Sequence, residues 1–392
     1  MFAGSMRILV LENEMSSKRG GQELSLLDVC QGLARRGHEI ILLYRRTGDL
    51  EEAYRSFCRL LRRVEYYSID REKFFSSVFS FLVSLGRTRR IKPDLVYANQ
   101  YLDSLFAGFL ARSLGVPFVC HLRLPPPDSL CGQYRMGMRR ASKLIAISEQ
   151  TRRDWAERGF SPDEIEVVHN GIDLDRFPLP QSGGNFRKRF GISSGAFLVT
   201  YAGRLHPVKG VEVLLRAFSR LPGEGGKRLV LAGKAAELKD KDGTDRDYRR
   251  ELEALANDLG MGGEIIWIEH WEDVQSLFGD SDVVVLPSLW SEPFGRVLIE
   301  AMACGTPAVG SRIGGIPEIL SGEFASFCFE RGSVEALAAV LQGLVGWRKR
   351  DPCLSGRCRE HVMRNFPVEK MVDGVERTLR ESLQYYSSSG CR

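Results

Sequence analysis

Short apolar runs alternate with helix-like stretches along most of the chain. In the first half these runs predict strands at residues 7–12, 39–44, 95–100, 118–123, 144–148 and 165–169. In the second half the pattern starts again and predicts strands at 197–203, 228–233, 265–270, 283–288, 307–312 and 325–330. Short buried strands that alternate with helices are typical of a parallel sheet with crossover helices. The sequence therefore predicts an α/β protein of two Rossmann-like, doubly wound parallel-sheet domains.

A break in this pattern separates the two halves. Residues 177–184 contain two prolines and two glycines, which interrupt both the helical and the strand period. We therefore expect a first domain at 1–177 and a second at 178–366. The remaining segment, 367–392, begins with apolar residues at helical spacing and predicts a C-terminal helix with a short tail. Because parallel sheets bind ligands at the carboxyl ends of their strands, two such domains facing each other would form a binding cleft.

The composition is that of an ordinary globular protein. Of 392 residues, 43% are hydrophobic and 27% are charged. Uncharged runs such as 74–86 are shorter than the roughly 18 residues that span a bilayer, and residues 1–15 lack the zones of a signal peptide. The nine cysteines form no Cys-x-x-Cys pair, so we interpret them as reduced thiols and expect a cytoplasmic protein.

The net charge of +5 comes entirely from the first half. Residues 1–177 hold 27 Lys and Arg against 22 Asp and Glu, whereas residues 178–392 hold 28 of each. This dispersed excess is too small for a nucleic-acid-binding stripe, and we predict no nucleic-acid partner. It suits an anionic ligand or an acidic membrane surface, and a solvated basic surface without a partner is the alternative.

An aromatic-rich segment, 74–85, lies in this basic half and is flanked by five cations. Such a segment suits an interfacial helix on anionic lipid, which would place the protein peripherally on the cytoplasmic membrane face. The alternative is a crossover helix packed on the first sheet, because a helix is needed there before the strand at 95–100.

Two glutamates follow the predicted strand at 283–288. Pro293 and Gly295 favour the start of a helix that runs through Glu300. Glu292 would then lie in the turn, so that one carboxylate could meet sugar hydroxyls and the other a ribose diol. The alternative is that Glu292 caps the helix and Glu300 is a surface residue.

Two cations, Arg204 and Lys209, occupy the loop that follows the predicted strand at 197–203. A guanidinium fork and an ammonium group in one strand-to-helix loop would converge on a diphosphate. Solvated loop charges are the alternative.

In the first domain, two adjacent glycines and one histidine are candidate ligand contacts. Gly20 and Gly21 form a glycine loop between the first strand and a helix, and they permit close approach of a ligand to the backbone. The loop matches neither the dinucleotide-binding nor the Walker pattern. His121 lies near the end of its strand, where ligands collect, and a purely structural histidine is the alternative.

Asp-x-Asp triplets occur four times and raise the possibility of a metal site. Roughly one such triplet is expected by chance in a chain of this composition, and short motifs often match by accident. We therefore predict no metal site and no cofactor.

Together these segments resemble the retaining glycosyltransferases of sequence family 4, the group 1 glycosyl transferases, which have the GT-B fold. The resemblance covers nearly the whole chain. It is carried by Gly20-Gly21 with Gly37-His38-Glu39, by residues 145–148, by 170–173 with Phe177, by Gly203-Arg-Leu with Lys209-Gly210, by 292–309 and by 314–318. The fold implied has two Rossmann-like domains facing across a cleft, with a C-terminal helix that crosses back to the first domain.

The resemblance also implies a function and a set of site residues. The implied activity is retaining, metal-independent transfer of a hexose from a nucleotide sugar, UDP-linked in preference to GDP-linked, to a hydroxyl of a glycan or lipid-linked sugar. The implied donor contacts are Arg204, Lys209 and Gly21 for the diphosphate, Glu300 for the ribose, and the backbone of Phe294, Gly295 and Val297 for sugar and phosphate oxygens. His121 and Glu292 are the implied catalytic residues. A nucleotide-sugar epimerase on the same fold and a non-catalytic nucleotide-sugar-binding protein remain alternatives.

Overall fold

A computed structural model describes residues 4–65, 67–69, 72–88, 90–179, 185–223, 225–239 and 245–388. The chain folds as two compact units, Met1–Gly171 with Val368–Arg392, and Ile172–Pro367. The sequence places the boundary six residues later, at 177/178, and residues 180–184 of the linker expected there lie outside the described part of the chain.

The first unit is built on a parallel sheet. Its strands are β1 (Arg7–Glu14), β2 (Glu39–Arg46), β3 (Leu60–Arg63), β4 (Leu95–Ala98), β5 (Phe118–Leu122), β6 (Lys143–Ala146) and β7 (Ile165–Val167). Its first helices are α1 (Gly21–Arg35), α2 (Glu51–Arg55), α3 (Phe74–Thr88), α4 (Ser104–Leu114), α5 (Gly132–Met138) and α6 (Glu149–Ala156). The strand order is β3-β2-β1-β4-β5-β6-β7, so the direction of winding reverses between β1 and β4. This reversal is the point at which doubly wound sheets bind ligands.

Alternation along the strands divides the core of the first unit into two layers. Ile8 and Val10 of β1 belong to the cluster covered by α1, whereas Leu9 and Leu11 belong to the cluster covered by α4. Because successive side chains of a strand point to opposite faces, a continuous apolar run buries both faces of the sheet. The predicted doubly wound arrangement is therefore confirmed for this unit.

The second unit repeats the arrangement. Its strands are β8 (Phe197–Ala202), β9 (Lys227–Ala232), β10 (Leu238–Lys239), β11 (Asp245–Arg246), β12 (Ile265–Ile268), β13 (Val283–Leu286), β14 (Ala308–Ser311) and β15 (Cys328–Phe329). Its helices are α7 (Asn185–Arg189), α8 (Val211–Ser219), α9 (Tyr248–Asp258), α10 (Val274–Asp280), α11 (Arg296–Ala303), α12 (Ile316–Ile319), α13 (Val334–Leu344), α14 (Trp347–Arg350) and α15 (Leu354–Asn365). The sheet order β12-β9-β8-β13-β14-β15 reverses between β8 and β13.

Two predicted features differ from the structure. The apolar pattern does not predict β3, because Leu60–Arg63 is only four residues long and half of it is arginine, nor the two-residue strands β10 and β11. The strand predicted at 325–330 is reduced to β15, since Gly322–Phe327 forms a 3-10 helix ahead of it.

The last helix, α16 (Val368–Ser388), packs in the first unit, as predicted for a C-terminal helix that returns to that domain. Glycines allow its close approach: a Cβ on Gly374 would lie 2.8 Å from Cγ1 of Val168. A charged cluster holds the helix on its polar side, where Glu376 accepts hydrogen bonds from Arg36 at 2.8 Å and from buried His38 at 3.1 Å. None of the helices described here is long and apolar enough to cross a membrane.

Candidate active site

In the second unit, the loops that follow β8 and β13 meet at the reversal point of the sheet. The two strands are parallel neighbours, so their carboxyl ends lie at the same edge. The Leu289 N–H donates to the Val208 carbonyl at 2.8 Å and joins the loops. Gly210, at φ +69°, permits this contact, because a Cβ there would lie 3.1 Å from the carbonyl carbon of Pro287.

The Glu292 carboxylate lies at the centre of a hydrogen-bonded cluster at this edge of the sheet. Its Oε2 accepts hydrogen bonds from Lys209 Nζ at 2.5 Å, Trp290 Nε1 at 3.2 Å and Ser288 Oγ at 3.3 Å. The ammonium of Lys209 also lies 5.2 Å from the centroid of the Trp290 ring. The side chains of Lys209 and Glu292 are only 16% and 14% exposed. The structure thus joins two residues that the sequence assigns to different parts of a donor.

The loop that follows β14 packs against the backbone of Glu292. The Gly315 N–H donates to the Glu292 carbonyl at 2.8 Å. Gly314 has φ +63°, and a Cβ on it would lie 2.5 Å from the Glu292 backbone nitrogen. Side chains at these two positions would push Glu292 out of place, which explains the paired glycines after β14.

Helix α11 begins where the sequence predicts and carries the second glutamate. Gly295 precedes it at φ +105° and Val297 lies half-buried in its first turn. Phe294 is 2% exposed, and its ring lies 5.7 Å from that of Phe366, so this residue also anchors the turn. About one turn into the helix, Glu300 accepts a hydrogen bond from the Arg296 Nε at 2.8 Å. The Glu300 side chain is 15% exposed and is therefore not a solvated surface group.

Arg204 occupies the exposed side of the first loop. Its carbonyl accepts a hydrogen bond from the buried Tyr201 hydroxyl at 2.8 Å, which fixes the backbone and leaves the guanidinium at the surface. Burial, together with the charge of Glu292, raises the pKa of Tyr201, which stays neutral. Burial and the charges of Arg204 and Lys209 lower the pKa of His206. This edge of the sheet therefore combines an exposed cation, Arg204, and a partly buried cation, Lys209, with the Glu292 carboxylate.

In the first unit, Gly20 and Gly21 lie at the start of α1. Gly20 has φ +146°, which favours glycine, and Gly21 is the first residue of the helix. A Cβ on Gly20 would have no atom within 4 Å, so there is open space next to the Gly20 backbone. Free backbone N–H groups at a helix start favour an anion.

A buried polar chain crosses the reversal point of the first sheet. Glu12 Oε2 accepts from Asn99 Nδ2 at 2.8 Å, and Asn99 Oδ1 accepts from Arg123 Nε at 3.0 Å. Arg123 Nη1 in turn donates to Asn170 Oδ1 at 2.7 Å. Burial and the nearby charge of Glu23 raise the pKa of Glu12 to about 7, against the opposing effect of its hydrogen bonds.

His121 lies beside this chain and is fully buried. Its Nδ1 is 2.6 Å from the Tyr97 hydroxyl, which also interacts with Arg123. When the Tyr97 hydroxyl donates to Nδ1, the ring proton is on Nε2. Nε2 has no hydrogen-bond partner among the described residues, and burial together with the charge of Arg123 lowers the pKa of the ring well below its usual value. His121 is therefore a neutral imidazole with one unused N–H donor.

Sequence reasoning missed several of these groups. Glu12, Asn99 and Arg123 were not singled out, although each stands at or just after the end of an apolar strand. A polar residue in that position is the signal that would have identified them. Among the residues described, no group of three or more His, Cys, Asp or Glu side chains is arranged to hold a metal ion.

Comparisons with known proteins agree with this architecture. A family model described as glycosyltransferase family 4 matches residues 19–176, and one described as glycosyl transferases group 1 matches residues 184–349. The D-inositol 3-phosphate glycosyltransferase of Mycobacteroides abscessus is 29% identical over 328 residues, covering 76% of this chain and 71% of that protein. The enzyme of the same name from Mycobacterium tuberculosis is 28% identical over 94% of this chain and 80% of its own length.

Solved structures show the same fold. The structure of Anabaena HepE in complex with UDP and glucose superposes with a TM-score of 0.81 at 22% identity, covering 96% of this chain and all of that one. Two family models thus account for most of the chain, and its two parallel-sheet units match the fold of these glycosyltransferase structures. The chain belongs to the group 1 glycosyltransferases and has the GT-B fold.

Proposed function

We propose that this glycosyltransferase transfers a hexose from a UDP-sugar to an acceptor hydroxyl on a glycan or lipid-linked sugar, with retention of anomeric configuration and without a metal ion. The observation that carries the proposal is the partly buried Lys209–Glu292 ion pair at the reversal point of the second sheet. A cation and a carboxylate held there are suited to the phosphate and the hydroxyl groups of one nucleotide sugar.

The donor contacts follow from this pair. Lys209 and the exposed guanidinium of Arg204 would share the diphosphate charge, together with backbone N–H groups at the start of α11 and at Gly21. Glu300 would accept hydrogen bonds from the ribose hydroxyls, and Arg296 on the same helix orients its carboxylate. UDP is supported by the fold neighbour HepE, which was solved with UDP and with UDP-glucose.

Glu292 and His121 would contact the reacting sugar. The carboxylate of Glu292 has several donors that fix its direction, so we assign it to a sugar hydroxyl and to stabilisation of developing positive charge at the anomeric carbon. His121 would donate its Nε2–H to an oxygen of the sugar or the acceptor. Its neutral state suits a hydrogen-bond donor that positions a substrate.

The proposed reaction is a front-face substitution. The bond between the anomeric carbon and the leaving phosphate oxygen breaks, and the acceptor oxygen bonds to that carbon on the same face. The acceptor proton passes to the leaving phosphate oxygen, and cations around the diphosphate stabilise the charge that it gains. No covalent intermediate with the protein is formed.

Thermal stabilisation by a panel of nucleotides and nucleotide sugars tests the donor assignment. A ligand at 100 times its dissociation constant adds about 2.7 kcal/mol of stability, which gives a clear rise in melting temperature. We expect UDP and one UDP-sugar to stabilise the wild type, and Lys209→Met to abolish the effect. Lys349→Met, at an exposed position of the same unit, is the matched control and should respond as wild type.

Glu300→Gln separates the ribose contact from simple destabilisation. The amide oxygen can still accept from Arg296, so the unliganded melting temperature should change little. Its response to UDP should nevertheless fall. If Glu300→Gln and Lys209→Met both respond to UDP as wild type does, the donor site is elsewhere.

Product analysis tests the chemistry. With the stabilising donor and a panel of acceptors that includes D-inositol 3-phosphate, NMR of the product should show the anomeric configuration of the donor, and excess EDTA should leave the rate unchanged. An inverted product would contradict retention, and loss of activity in EDTA would contradict metal independence. Conversion of the donor sugar to its epimer without any acceptor would favour the epimerase.

A further inference from the structure

One face of α3 presents large apolar side chains to solvent. Phe75, Phe79 and Leu82 are 86%, 69% and 59% exposed, and Phe74 next to them is 51% exposed. Positions 75, 79 and 82 follow a helical spacing of four and three residues, so they form one stripe. Among the described residues, four of the ten large apolar side chains classed as exposed lie on this helix. We call this stripe with Phe74 the outer face of α3.

The opposite face of α3 already fulfils the role of a crossover helix. Phe81 is 5% exposed and packs edge-on against Phe106 of α4, with ring centroids 5.2 Å apart. It also contacts Phe109, at 6.1 Å, and Leu85 packs against the same core cluster. Packing on the sheet therefore explains the inner face of the helix and leaves the outer face without a structural purpose.

The charge around the helix indicates what the outer face binds. Residues 73–93 contain five Lys or Arg and no Asp or Glu. Lys73 precedes the helix, while Arg87, Arg90 and Lys92 lie at and beyond its end and are exposed. Arg62 of the edge strand β3 adds a further cation, since its Nη1 donates to the Arg87 carbonyl at 2.8 Å. Glu72 precedes Lys73 and is exposed, so the excess of positive charge lies at the C-terminal end of the helix. Exposed aromatic residues beside such a cationic end are typical of a helix that lies in the surface of an anionic membrane.

We propose that the outer face of α3 docks the protein onto an anionic phospholipid bilayer, with the phenylalanine rings in the headgroup and acyl boundary and the flanking cations on lipid phosphates. A second copy of the chain is a poorer occupant, because it would bring a second set of the same cations to the outer face without anionic partners. An apolar protein groove would use the aromatic stripe but would leave the cations without acceptors. This inference concerns where the enzyme works and is independent of the proposed donor and mechanism.

Vesicle sedimentation of the full chain tests the proposal. The probes are vesicles of phosphatidylcholine alone and vesicles containing 30% phosphatidylglycerol. We expect sedimentation with the anionic vesicles, weakened by high salt, and at least a ten-fold loss of partitioning for the double variant Phe75→Ser with Phe79→Ser. The conservative pair Phe75→Leu with Phe79→Leu should retain binding. Met363→Ser, which changes an exposed apolar side chain of the second unit, is the matched control and should leave binding unchanged.

The charges are tested separately. Each cation near an anionic surface contributes about 1 kcal/mol, so Arg87→Gln with Arg90→Gln should weaken partitioning more than ten-fold. Arg331→Gln with Lys349→Gln, at exposed positions of the second unit, should not. Equal binding by wild type and the Phe75→Ser, Phe79→Ser variant would overturn the proposal, as would binding that ignores phosphatidylglycerol content. So would wild-type protein that stays in the supernatant but forms dimers which that variant abolishes.

Discussion

Substitution of Glu376 by glutamine tests the reasoning about how the C-terminal helix is held in the first unit. The carboxylate accepts hydrogen bonds from Arg36, His38 and Arg380, and it forms ion pairs with the two arginines. Although burial alone would raise its pKa, those three partners lower the pKa of Glu376 to about 2. Glutamine keeps the size of the side chain and an oxygen for His38 and Arg380, but it loses the charge and presents an N–H to Arg36.

The pKa shift sets the size of the effect. Relative to an ordinary glutamate at 4.5, a pKa of about 2 corresponds to an upper limit of roughly 3 kcal/mol, at 1.36 kcal/mol per pKa unit. The side chains of Glu376, Arg36 and Arg380 are 16%, 32% and 21% exposed, so solvent screening reduces this. We expect Glu376→Gln to cost about 1–2 kcal/mol.

Calorimetry of the full chain should then show a melting transition lowered by about 2–8 °C, since 1 kcal/mol shifts a unit of this size by 2–4 °C. Amide hydrogen exchange across α16 should accelerate up to about 30-fold. Glu369→Gln, at an exposed position on the same helix, is the matched control and should change neither quantity by more than the effect of an ordinary surface substitution.

The pH dependence gives the sharpest test. Because the folded-state pKa is depressed, the contribution of Glu376 is fully present above the unfolded-state value of about 4.5 and is lost as the pH falls toward 2. The stability difference between wild type and Glu376→Gln should thus be constant between pH 6 and 8 and shrink below pH 4.5. A difference that stays constant down to pH 3.5, or none at pH 7, would refute the argument.

Three further predictions concern the first unit. Gly374→Ala should lower the melting temperature, because the new Cβ would lie 2.8 Å from the stiff side chain of Val168; an unchanged temperature would mean that α16 shifts at little cost. Glu12 binds its proton more tightly in the folded than in the unfolded protein, so its contribution to the free energy of unfolding should fall as the pH rises from 4.5 to 7. Urea denaturation of Glu12→Gln at several pH values should lack this pH-dependent contribution. Tyr97→Phe should remove the group that fixes the ring proton of His121 on Nε2 and lower the transfer rate at least ten-fold with little change in the thermal response to donor; an unaltered rate would place His121 outside the reaction.

Lys209 and Glu292 illustrate how function depends on long-range pairing. They are 83 residues apart in sequence and come from different strand-to-helix loops. Neither loop alone specifies that its charge will be buried. Their contact arises because β8 and β13 are adjacent in the sheet although β9 and β12 lie between them in the chain.

The sequence alone determined the class of fold and the content of the active-site loops. Alternating apolar runs specify two parallel sheets, because only short buried strands joined by helices satisfy that period. The glycines and prolines around Glu292 specify a strand-turn-helix segment by their backbone geometry, and the observed α11 begins and ends accordingly. Family resemblance added the expected chemistry to residues that local pattern had already placed at strand ends.

The tertiary structure decided which of these residues act together. It joined Glu292 to Lys209, and it linked Glu12 to Asn99 and Arg123 through buried hydrogen bonds. It also decided that α3 uses one apolar face for the core and leaves the other exposed, which the 74–85 segment does not reveal because both faces are apolar. The physical reason is the same in each case: hydrophobic period fixes which side of an element is buried, whereas strand order and packing fix what lies opposite it.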